Sequence, residues 1–302
     1  MAINRVFVPP FKIQGIKTKL VPIIASCATV DRSTTWVEPF MGSGVVGLNV
    51  ANRDAIFADI NPHVINFYNQ LKAGSISSAI VKQFLEEHGS KLSDRGEEYY
   101  YFVRDRFNDE YSPLDFLFLN RSCFNGMIRF NRRGKFNVPF GHKPNRFAKA
   151  YVTKIVNQVK HFELKLRSSN WIFLCQPFEK TIAMADERSF IYCDPPYIGR
   201  HVDYFDSWDE EMEKRLHESL MKSRAKYMLS TWDRNQYRVN PYVSSLWGHC
   251  QKTVREHFYF VGAKEANRSC VTEALLTNYG ITAIPAKQEV CQPAEQLELA
   301  FA

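Results

Sequence analysis

The sequence predicts an α/β fold, and its first two strands carry much of that prediction. Residues 34–37 have the apolar and β-branched character of a short buried strand. A glycine-rich turn at 38–44 follows, then a helical apolar pattern at 45–51 and a second strand pattern at 55–58. Strand, turn, helix and strand in this order form one α/β unit.

A segment of different character interrupts this pattern. Residues 62–111 are predicted to be mostly helical, with polar faces. Turn signals then crowd residues 121–141, where Phe130 and Phe136 flank a predicted β-hairpin. The sequence therefore predicts that a mostly helical insertion with a hairpin follows the first α/β unit.

The α/β pattern resumes after the insertion and sets the predicted domain boundaries. Strand patterns return at residues 171–174, 190–193 and 226–230. We therefore predict a discontinuous sheet domain of residues 1–61 and 151–302, with an inserted domain at 62–150. Residues 199–209, rich in glycine, charge and aromatic rings, are a predicted mobile lid.

Composition argues against a membrane, disulfide-rich or metal-binding protein. Of the 302 residues, 45% are hydrophobic and 24% charged, which suits one large or two modest domains. No apolar run approaches the roughly 20 residues that span a bilayer, and no signal-peptide core is seen, so we expect a cytoplasmic location and no membrane partner. The seven scattered cysteines lack a Cys-x-x-Cys pair, which favours reduced thiols and no metal site.

The positive charge of the chain is concentrated in one segment. The net charge is +7, yet residues 116–162 contain ten Lys or Arg residues and no Asp or Glu, with phenylalanines interleaved. A solvated face is the simpler explanation for a charge run. A basic segment without acids and with aromatic rings better fits a surface for a polyanion such as nucleic acid.

The glycine turn indicates a nucleotide-like cofactor. Gly42, Gly44 and Gly47 follow the spacing G-x-G-x-x-G after a strand, and Asp59 ends the next strand, where it can accept both hydroxyls of a ribose. This pattern alone suits NAD, a flavin dinucleotide or S-adenosylmethionine. A tight turn without a ligand, and a helix cap at Asp59, are the structural alternatives. Glu38, which could accept a cationic group, favours S-adenosylmethionine.

The segment from Asp194 to Tyr197 has the chemistry to hold a flat ring that bears an amino group. It follows the apolar run 190–193 and offers a carboxylate, two prolines and an aromatic face. The Asp194 carboxylate and the Pro195 carbonyl can accept the two N–H bonds of an amino group, and the fixed φ of proline holds that carbonyl still. A capping carboxylate in a Pro-Pro turn is the alternative.

Taken together, the motifs resemble the Dam-type family of DNA adenine methyltransferases over nearly the whole chain. The matching segments are residues 11–20, 38–44, 58–61, 119–141, 194–197 and 271–279. The chain departs from the family pattern at Ile13, where an aromatic residue is usual, and at Gln14 and Ile16, which replace small residues. The resemblance implies a Rossmann-like S-adenosylmethionine-dependent methyltransferase fold with an inserted target-recognition domain.

The resemblance also implies which residues form the sites. The implied catalytic residues are Asp194, Pro195, Pro196 and Tyr197. The implied S-adenosylmethionine contacts are Ile13, Gln14, Gly15, Lys17, Glu38, Pro39, Phe40, Gly42, Gly44, Asp59, Ile60, Phe178 and Asp194. The implied DNA contacts are Lys12, Arg121, Phe124, Asn125, Met127, Arg129, Asn131, Arg132, Arg133, Lys135 and Pro139. Phe124 would enter the base stack, and the alternative is a core aromatic position. Arg129 would read a guanine edge, and the alternative is a phosphate contact or a solvated arginine.

The expected function is transfer of a methyl group to the amino group of a flipped-out adenine in double-stranded DNA. Methylation of the cytosine amino group or of an RNA base is the nearest alternative. An NAD-dependent oxidoreductase and a catalytically dead DNA-binding module are more distant ones. The resemblance further implies a prokaryotic or phage protein associated with the nucleoid, monomeric in catalysis, with a restriction endonuclease as a potential partner in the same system.

Overall fold

The computed structural model describes residues 3, 5–198, 208–235, 237–260 and 268–281, and for residues 256–260 and 268–271 the backbone alone. The strands are β1 (Thr35–Glu38), β2 (Asp54–Asp59), β3 (Asn170–Cys175), β4 (Ser189–Cys193), β5 (Lys226–Asn235), β6 (Gln251–Phe260) and β7 (Arg268–Thr277). The helices are α1 (Val21–Cys27), α2 (Val45–Val50), α3 (Pro62–Ala73), α4 (Ser78–Arg95), α5 (Glu97–Glu110), α6 (Pro113–Ser122), α7 (Lys149–Arg167), α8 (Phe178–Ile182), α9 (Glu210–Lys222) and α10 (Pro241–Ser245). Of the predicted lid at 199–209, residues 199–207 lie outside the described residues.

Within the described residues, seven strands form one sheet in the order β3-β2-β1-β4-β5-β7-β6. β3, β2, β1, β4 and β5 pair in parallel, whereas β7 is antiparallel to both β5 and β6. The predicted Rossmann-like α/β fold is confirmed, because the order 3-2-1-4-5 is that of doubly wound nucleotide-binding sheets. β6 was not predicted, and β5 extends five residues beyond its predicted end, as far as Asn235.

Large apolar side chains account for the burial of the central strands. Trp36 of β1 is fully buried and stacks on Phe190 and Tyr192 of β4, with ring centroids 5.5 and 5.8 Å apart. Residues buried on both faces are typical of parallel sheets that helices cover on each side. This packing fixes the ends of β1 and β4, and those ends carry the acidic residues of the candidate site.

The predicted helical segment is confirmed, and its first helix packs directly on the sheet. The Asn61 side chain caps α3 by accepting the amide of His63 at 3.0 Å. Tyr68 of α3 stacks on Phe173 of β3, with centroids 5.4 Å apart. The core is continuous from the sheet into the insertion. The division of the chain at residues 62–150 stays a prediction.

The predicted hairpin is present as a turn closed by single bridges. Phe130 pairs with Phe136, and Cys123 with Phe140, both antiparallel. The amide of Asn131 donates to the carbonyl of Lys135 at 2.9 Å and closes the turn. A 3-10 turn at Phe124–Gly126 precedes it. Among the described residues, no helix is both long and apolar enough to cross a bilayer.

A buried ion pair joins α5 to α6, and its removal should destabilise the protein. Asp115 at the start of α6 is 2% exposed and accepts two bonds from Arg106 of α5, at 2.8 and 2.5 Å. Arg106→Met should lower the free energy of unfolding by about 3 kcal/mol, because it leaves a buried carboxylate without its cation. Urea denaturation measures this change.

Lys91→Met is the matched control for Arg106→Met. Lys91 pairs with Glu87 on the same helical layer, but both side chains are about half exposed. Its loss should change stability by less than about 1 kcal/mol. Equal losses in the two variants would contradict a special role for the Arg106 pair.

Candidate active site and nucleic-acid interface

Three acidic residues meet where the parallel strands end. Glu38 ends β1, Asp59 ends β2, and Asp194 follows the last residue of β4. These strands are neighbours in the sheet and run in the same direction. Ligands of open α/β sheets bind outside the carboxyl ends of such strands. The fold thus brings together residues that are far apart in the sequence.

Asp59 shapes the glycine turn. One carboxylate oxygen accepts the amide of Gly42 at 2.8 Å, and the other accepts the amide of Asn61 at 2.9 Å. Gly42 and Gly44 adopt φ values of 50° and 74°, which side chains rarely tolerate. Burial raises the pKa of Asp59, and the amide bonds reduce this rise only in part. Each oxygen keeps further capacity to accept a hydrogen bond, as a ribose contact requires.

Glu38 lies under the glycine turn. It is 2% exposed and accepts the indole N–H of Trp36 at 2.8 Å. A Cβ on Gly47 would lie 2.5 Å from its Oε2, so glycine is needed at this position for the carboxyl to fit. Burial raises the pKa of Glu38 to about 8, and the Asp194 charge adds to the effect. A cationic group beside Glu38 would favour its ionised form.

Asp194 belongs to a charged cluster whose residues come from distant parts of the sequence. The Lys17 ammonium lies 3.0 Å from Asp194 Oδ1 and 3.9 Å from Glu273 Oε1, and also donates to the Gly15 carbonyl at 3.1 Å. The Tyr197 hydroxyl donates to Glu273 at 3.2 Å. Burial raises the pKa of Asp194 to about 6; the Lys17 charge lowers it and the Glu273 charge raises it.

Glu273 was missed by the sequence reasoning. It lies in β7, is 1% exposed, and stands in an otherwise largely apolar run of residues 271–276. A charge in a buried strand pattern was the available signal, since ionised groups are rarely buried without a partner.

An aromatic wall borders the glycine turn. Phe40 stacks on Phe178, with centroids 5.3 Å apart, so the structure brings these two predicted residues together. Trp208 approaches Phe40 edge-on at 5.5 Å and donates its indole N–H to the buried carboxylate of Glu213. Trp208 was not predicted. Pro39 is buried beside Phe40, and Ile60 is 41% exposed at the end of β2.

The N-terminal segment links the site to the insertion. Lys12 exchanges backbone bonds with the Asn120 side chain, at 2.8 and 2.7 Å. Burial, together with Arg146 and Arg121, lowers the pKa of Lys12 to about 8. Ile13 packs against the core, whereas Gln14 and Gly15 are exposed. Predicted cofactor and DNA residues therefore lie in one short segment.

The tip of the insertion exposes an aromatic ring. Phe124 is 48% exposed, and its amide is anchored to the carbonyl of Pro139 at 2.9 Å. Asn125 next to it is exposed and has a φ of 55°. The alternative of a core position for Phe124 is not supported. Met127 is half-buried against the core, and Pro139 is exposed.

The predicted basic contacts divide into exposed and internally bonded groups. Arg132 and Arg133 are exposed at the hairpin turn. Arg129 donates through Nε to the Asn137 side chain at 2.9 Å, which orients the guanidinium. Lys135 bonds to the Asn108 carbonyl and lies 3.2 Å from Asp109. Asn131 is also exposed.

Arg121 and Asn131 already hold hydrogen bonds within the protein. Arg121 is 4% exposed, and its guanidinium bonds to Tyr151 and Gln158. The Asn131 side chain accepts the amides of Arg133 and Lys135 at 2.9 and 3.1 Å, so it stabilises the turn. The DNA contacts of both residues stay predictions.

Comparisons with known proteins give consistent matches. A family model, described as D12 class N6 adenine-specific DNA methyltransferase, matches residues 14–259. The DNA adenine methylase of Salmonella typhimurium is 33% identical over 243 residues, covering 72% of this chain and 82% of that protein. That of Serratia marcescens is 33% identical over 213 residues, covering 65% and 74%.

Other matches cover less or are weaker. The DNA adenine methylase of Haemophilus influenzae is 37% identical over 175 residues, and the match spans 55% of this chain and 56% of that protein. A solved structure of the rRNA methyltransferase aviRa from Streptomyces viridochromogenes matches with a TM-score of 0.39 and 12% identity, covering 92% of this chain and 91% of that one. That structural likeness is too low to support an argument.

The cluster predicts a directional effect of Lys17 on Asp194. Lys17→Met removes the ammonium 3.0 Å from the carboxylate, so the pKa of Asp194 should rise above its value of about 6. NMR titration of ¹³C-labelled aspartate carboxyls measures this, with Asp194→Asn to assign the signal. Lys19→Met, an exposed neighbour in the same segment, is the control and should leave the titration unchanged. An unmoved Asp194 titration in Lys17→Met would contradict the ion pair.

Proposed function

We propose that this chain, which belongs to the D12 class N6 adenine-specific DNA methyltransferase family, transfers a methyl group from S-adenosylmethionine to the exocyclic amino group of a flipped-out adenine in double-stranded DNA. The family match agrees with the resemblance that the motifs predicted. The observation that carries the proposal is the position of Asp194. Its carboxylate is 20% exposed at the carboxyl end of β4, next to two prolines and Tyr197.

Asp194 and Pro195 activate the amino group in this proposal. The lone pair of an aromatic amino group is delocalised into the ring, which makes the nitrogen a poor nucleophile. Two acceptors, the Asp194 carboxylate and the Pro195 carbonyl, draw its N–H bonds out of the ring plane and return the lone pair to the nitrogen. Tyr197 stacks on the base, and Asp194 takes up the proton that the nitrogen loses on methylation.

The residues present fit S-adenosylmethionine. Asp59 retains acceptor capacity for ribose hydroxyls, and a Cβ on Gly42 would meet no atom within 4 Å, so the turn has an open side. Glu38 suits the amino group of the methionine part, and Phe40 with Phe178 suits the adenine ring. When bound, S-adenosylmethionine supplies a methyl group on a positively charged sulfur. Gly15, Gln14 and Lys17 border the same space in this proposal.

Phe124 displaces the target base in this proposal, and Asn125 beside it contacts a base edge. Extrusion of a base costs a few kcal/mol, and an aromatic side chain that replaces it in the stack offsets part of that cost. Phe124 is exposed at an anchored tip, as such a role requires. Arg129 and Lys12 are proposed to contact base edges, with Met127 and Pro139 beside them. Arg132, Arg133 and Lys135 are proposed to contact phosphates.

Other predictions from the sequence stand apart from this proposal. The family match favours methylation of adenine in DNA over methylation of cytosine or of RNA. It also favours S-adenosylmethionine over a nicotinamide cofactor at the glycine turn. A dead DNA-binding module is disfavoured because Asp194 and the glycine turn are both intact. Monomeric catalysis, a partner endonuclease, cytoplasmic location and association with the nucleoid stay predictions.

The proposal predicts methyladenine as the product. Purified protein, unmethylated duplex DNA and S-adenosylmethionine with a labelled methyl group should yield labelled methyladenosine after digestion to nucleosides. Asp194→Asn should reduce the rate about 10²–10⁴-fold, because a neutral amide is a weaker acceptor and no base. Glu187→Gln, an exposed carboxylate just before β4, is the control and should retain activity.

The outcomes of this assay separate the alternatives. Labelled methylcytosine would overturn adenine as the target and keep the mechanism. Transfer to RNA alone would overturn DNA as the substrate. Full activity in Asp194→Asn would overturn the role of the carboxylate.

The raised pKa of Asp194 predicts an acid limit to activity. Below its pKa of about 6 the carboxyl is protonated and loses its strength as an acceptor, so kcat/KM, which reports the ionisations of the free enzyme, should fall as the pH decreases through that value. Rates at concentrations of DNA and S-adenosylmethionine well below their KM values, across a pH range that brackets this value, measure the limit. A kcat/KM that stays constant through this range would contradict the requirement for an ionised Asp194.

A further inference from the structure

Glu273 occupies a position that the proposed reaction does not explain. It is 1% exposed in β7, and the Tyr197 hydroxyl donates to its Oε1 at 3.2 Å. The Lys17 ammonium lies 3.9 Å from the same oxygen and 3.0 Å from Asp194. A buried carboxylate is costly, so its contacts with the base-stacking tyrosine and with the partner of Asp194 indicate a role beyond packing.

We propose that Glu273 is a positioning residue of this active site, which holds the Tyr197 ring through its hydroxyl and shares Lys17 with Asp194, so that it sets the charge on the catalytic carboxylate. The inference rests on the proposed methyl transfer and deepens it. Glu273 touches neither base nor cofactor in this proposal. It acts through the two groups that do and through their shared cation.

The first effect is electrostatic. Two carboxylates compete for one ammonium, so the Glu273 charge opposes ionisation of Asp194 while Lys17 favours it. An amino group with delocalised electrons needs an acceptor, and its released proton needs a base. A carboxylate whose proton affinity is raised by a neighbour, yet which stays ionised at neutral pH, serves both needs.

The second effect is mechanical. Tyr197 is 9% exposed and packs against Trp232 of β5, whose register partner in β7 is Glu273. β7 therefore holds the Tyr197 hydroxyl through Glu273, and β5 contacts the side of the Tyr197 ring through Trp232. The Lys17 ammonium lies 4.9 Å from the ring centroid, which adds a cation–π contact. A fixed ring offers one stacking plane to the flipped base.

Other charged or titratable groups near the cluster stay unchanged in the test. Glu38 from β1 and Tyr192 and Cys193 from β4 sense the Asp194 charge. Arg255 of β6 is the register partner of Glu273 on its other side. A variant of Glu273 alone therefore changes one charge in a constant environment.

The first test measures Asp194 directly and needs no activity. Glu273→Gln keeps the size of the side chain and an acceptor for the Tyr197 hydroxyl, but removes the charge. ¹³C NMR titration of labelled aspartates, assigned with Asp194→Asn, should show the apparent pKa of Asp194 lowered by about one unit. An unmoved or raised pKa in folded Glu273→Gln would overturn the inference.

Asp233→Asn is the matched control for this titration. Asp233 is a buried carboxylate in β5, 3% exposed, and pairs with Arg234 and Lys252 away from Asp194. Its loss should leave the Asp194 titration at the wild-type value. An equal shift in both variants would mean that any buried charge of the sheet has this effect, and the specific role of Glu273 would be lost.

Kinetics test the mechanical effect. Glu273→Ala should lower kcat for methyl transfer about ten- to hundredfold, with KM for DNA nearly unchanged, because the Tyr197 ring loses its hold. Glu273→Gln should retain most of the wild-type kcat and move the acid limit of kcat/KM to lower pH. The effects of Tyr197→Phe and Glu273→Ala on kcat should be non-additive in the double variant, because both substitutions remove the same hydrogen bond.

The outcomes distinguish this inference from the proposed function. Methyl transfer by the wild type with a normal kcat in Glu273→Ala would overturn the positioning role alone. No methyl transfer by the wild type would overturn the proposed function. The NMR titration of Asp194 would still decide the electrostatic part.

Discussion

The parallel pairing of β1 with β2 and β4 brings three carboxyl groups to one edge of the sheet, and the site is organised around their charge. Desolvation, together with neighbouring carboxylates, raises the pKa values of Glu38 and Asp194. Lys17 of the N-terminal segment, whose ammonium lies 3.0 Å from Asp194, counteracts this rise by favouring the ionised carboxylate. The backbone amides of Gly42 in the glycine turn and of Asn61 after β2 donate hydrogen bonds to Asp59. In this site, burial disfavours the ionised carboxylates, and a small number of cationic and amide groups favours them.

The sequence predicted what local patterns determine. Strands ending in an acid, a glycine turn and the Asp194 motif are each contiguous, so their geometry follows from a few neighbouring residues. Trp208 was missed because its partner Phe40 lies far away along the chain and nothing local marks the contact. Glu273 had one local signal, a charge in a buried strand pattern, but its partner Tyr197 also lies far away along the chain. The sheet order was predictable only in outline, since the insertion of β7 between β5 and β6 depends on long-range pairing.

The basic segment shows where composition misleads. It predicted an exposed cationic surface, and at Arg132 and Arg133 the structure agrees. Arg121 of α6 belongs to the same run but is buried against α7, where Tyr151 and Gln158 accept its bonds. Helix packing selects one face for burial, whatever the charge of the residues on it, and the buried members must then find internal partners.

The place of β7 in the chain has a consequence for synthesis on the ribosome. Lys17, Asp194 and Glu273 lie near the start, in the second half and in the last described strand. Domains generally fold as units, and β7 pairs with β5 inside the same sheet that carries Asp194. Tyr197 therefore lacks its hydroxyl partner until β7 has been translated and has paired with β5. The reactive centre is complete only in a chain that has been synthesised as far as this strand.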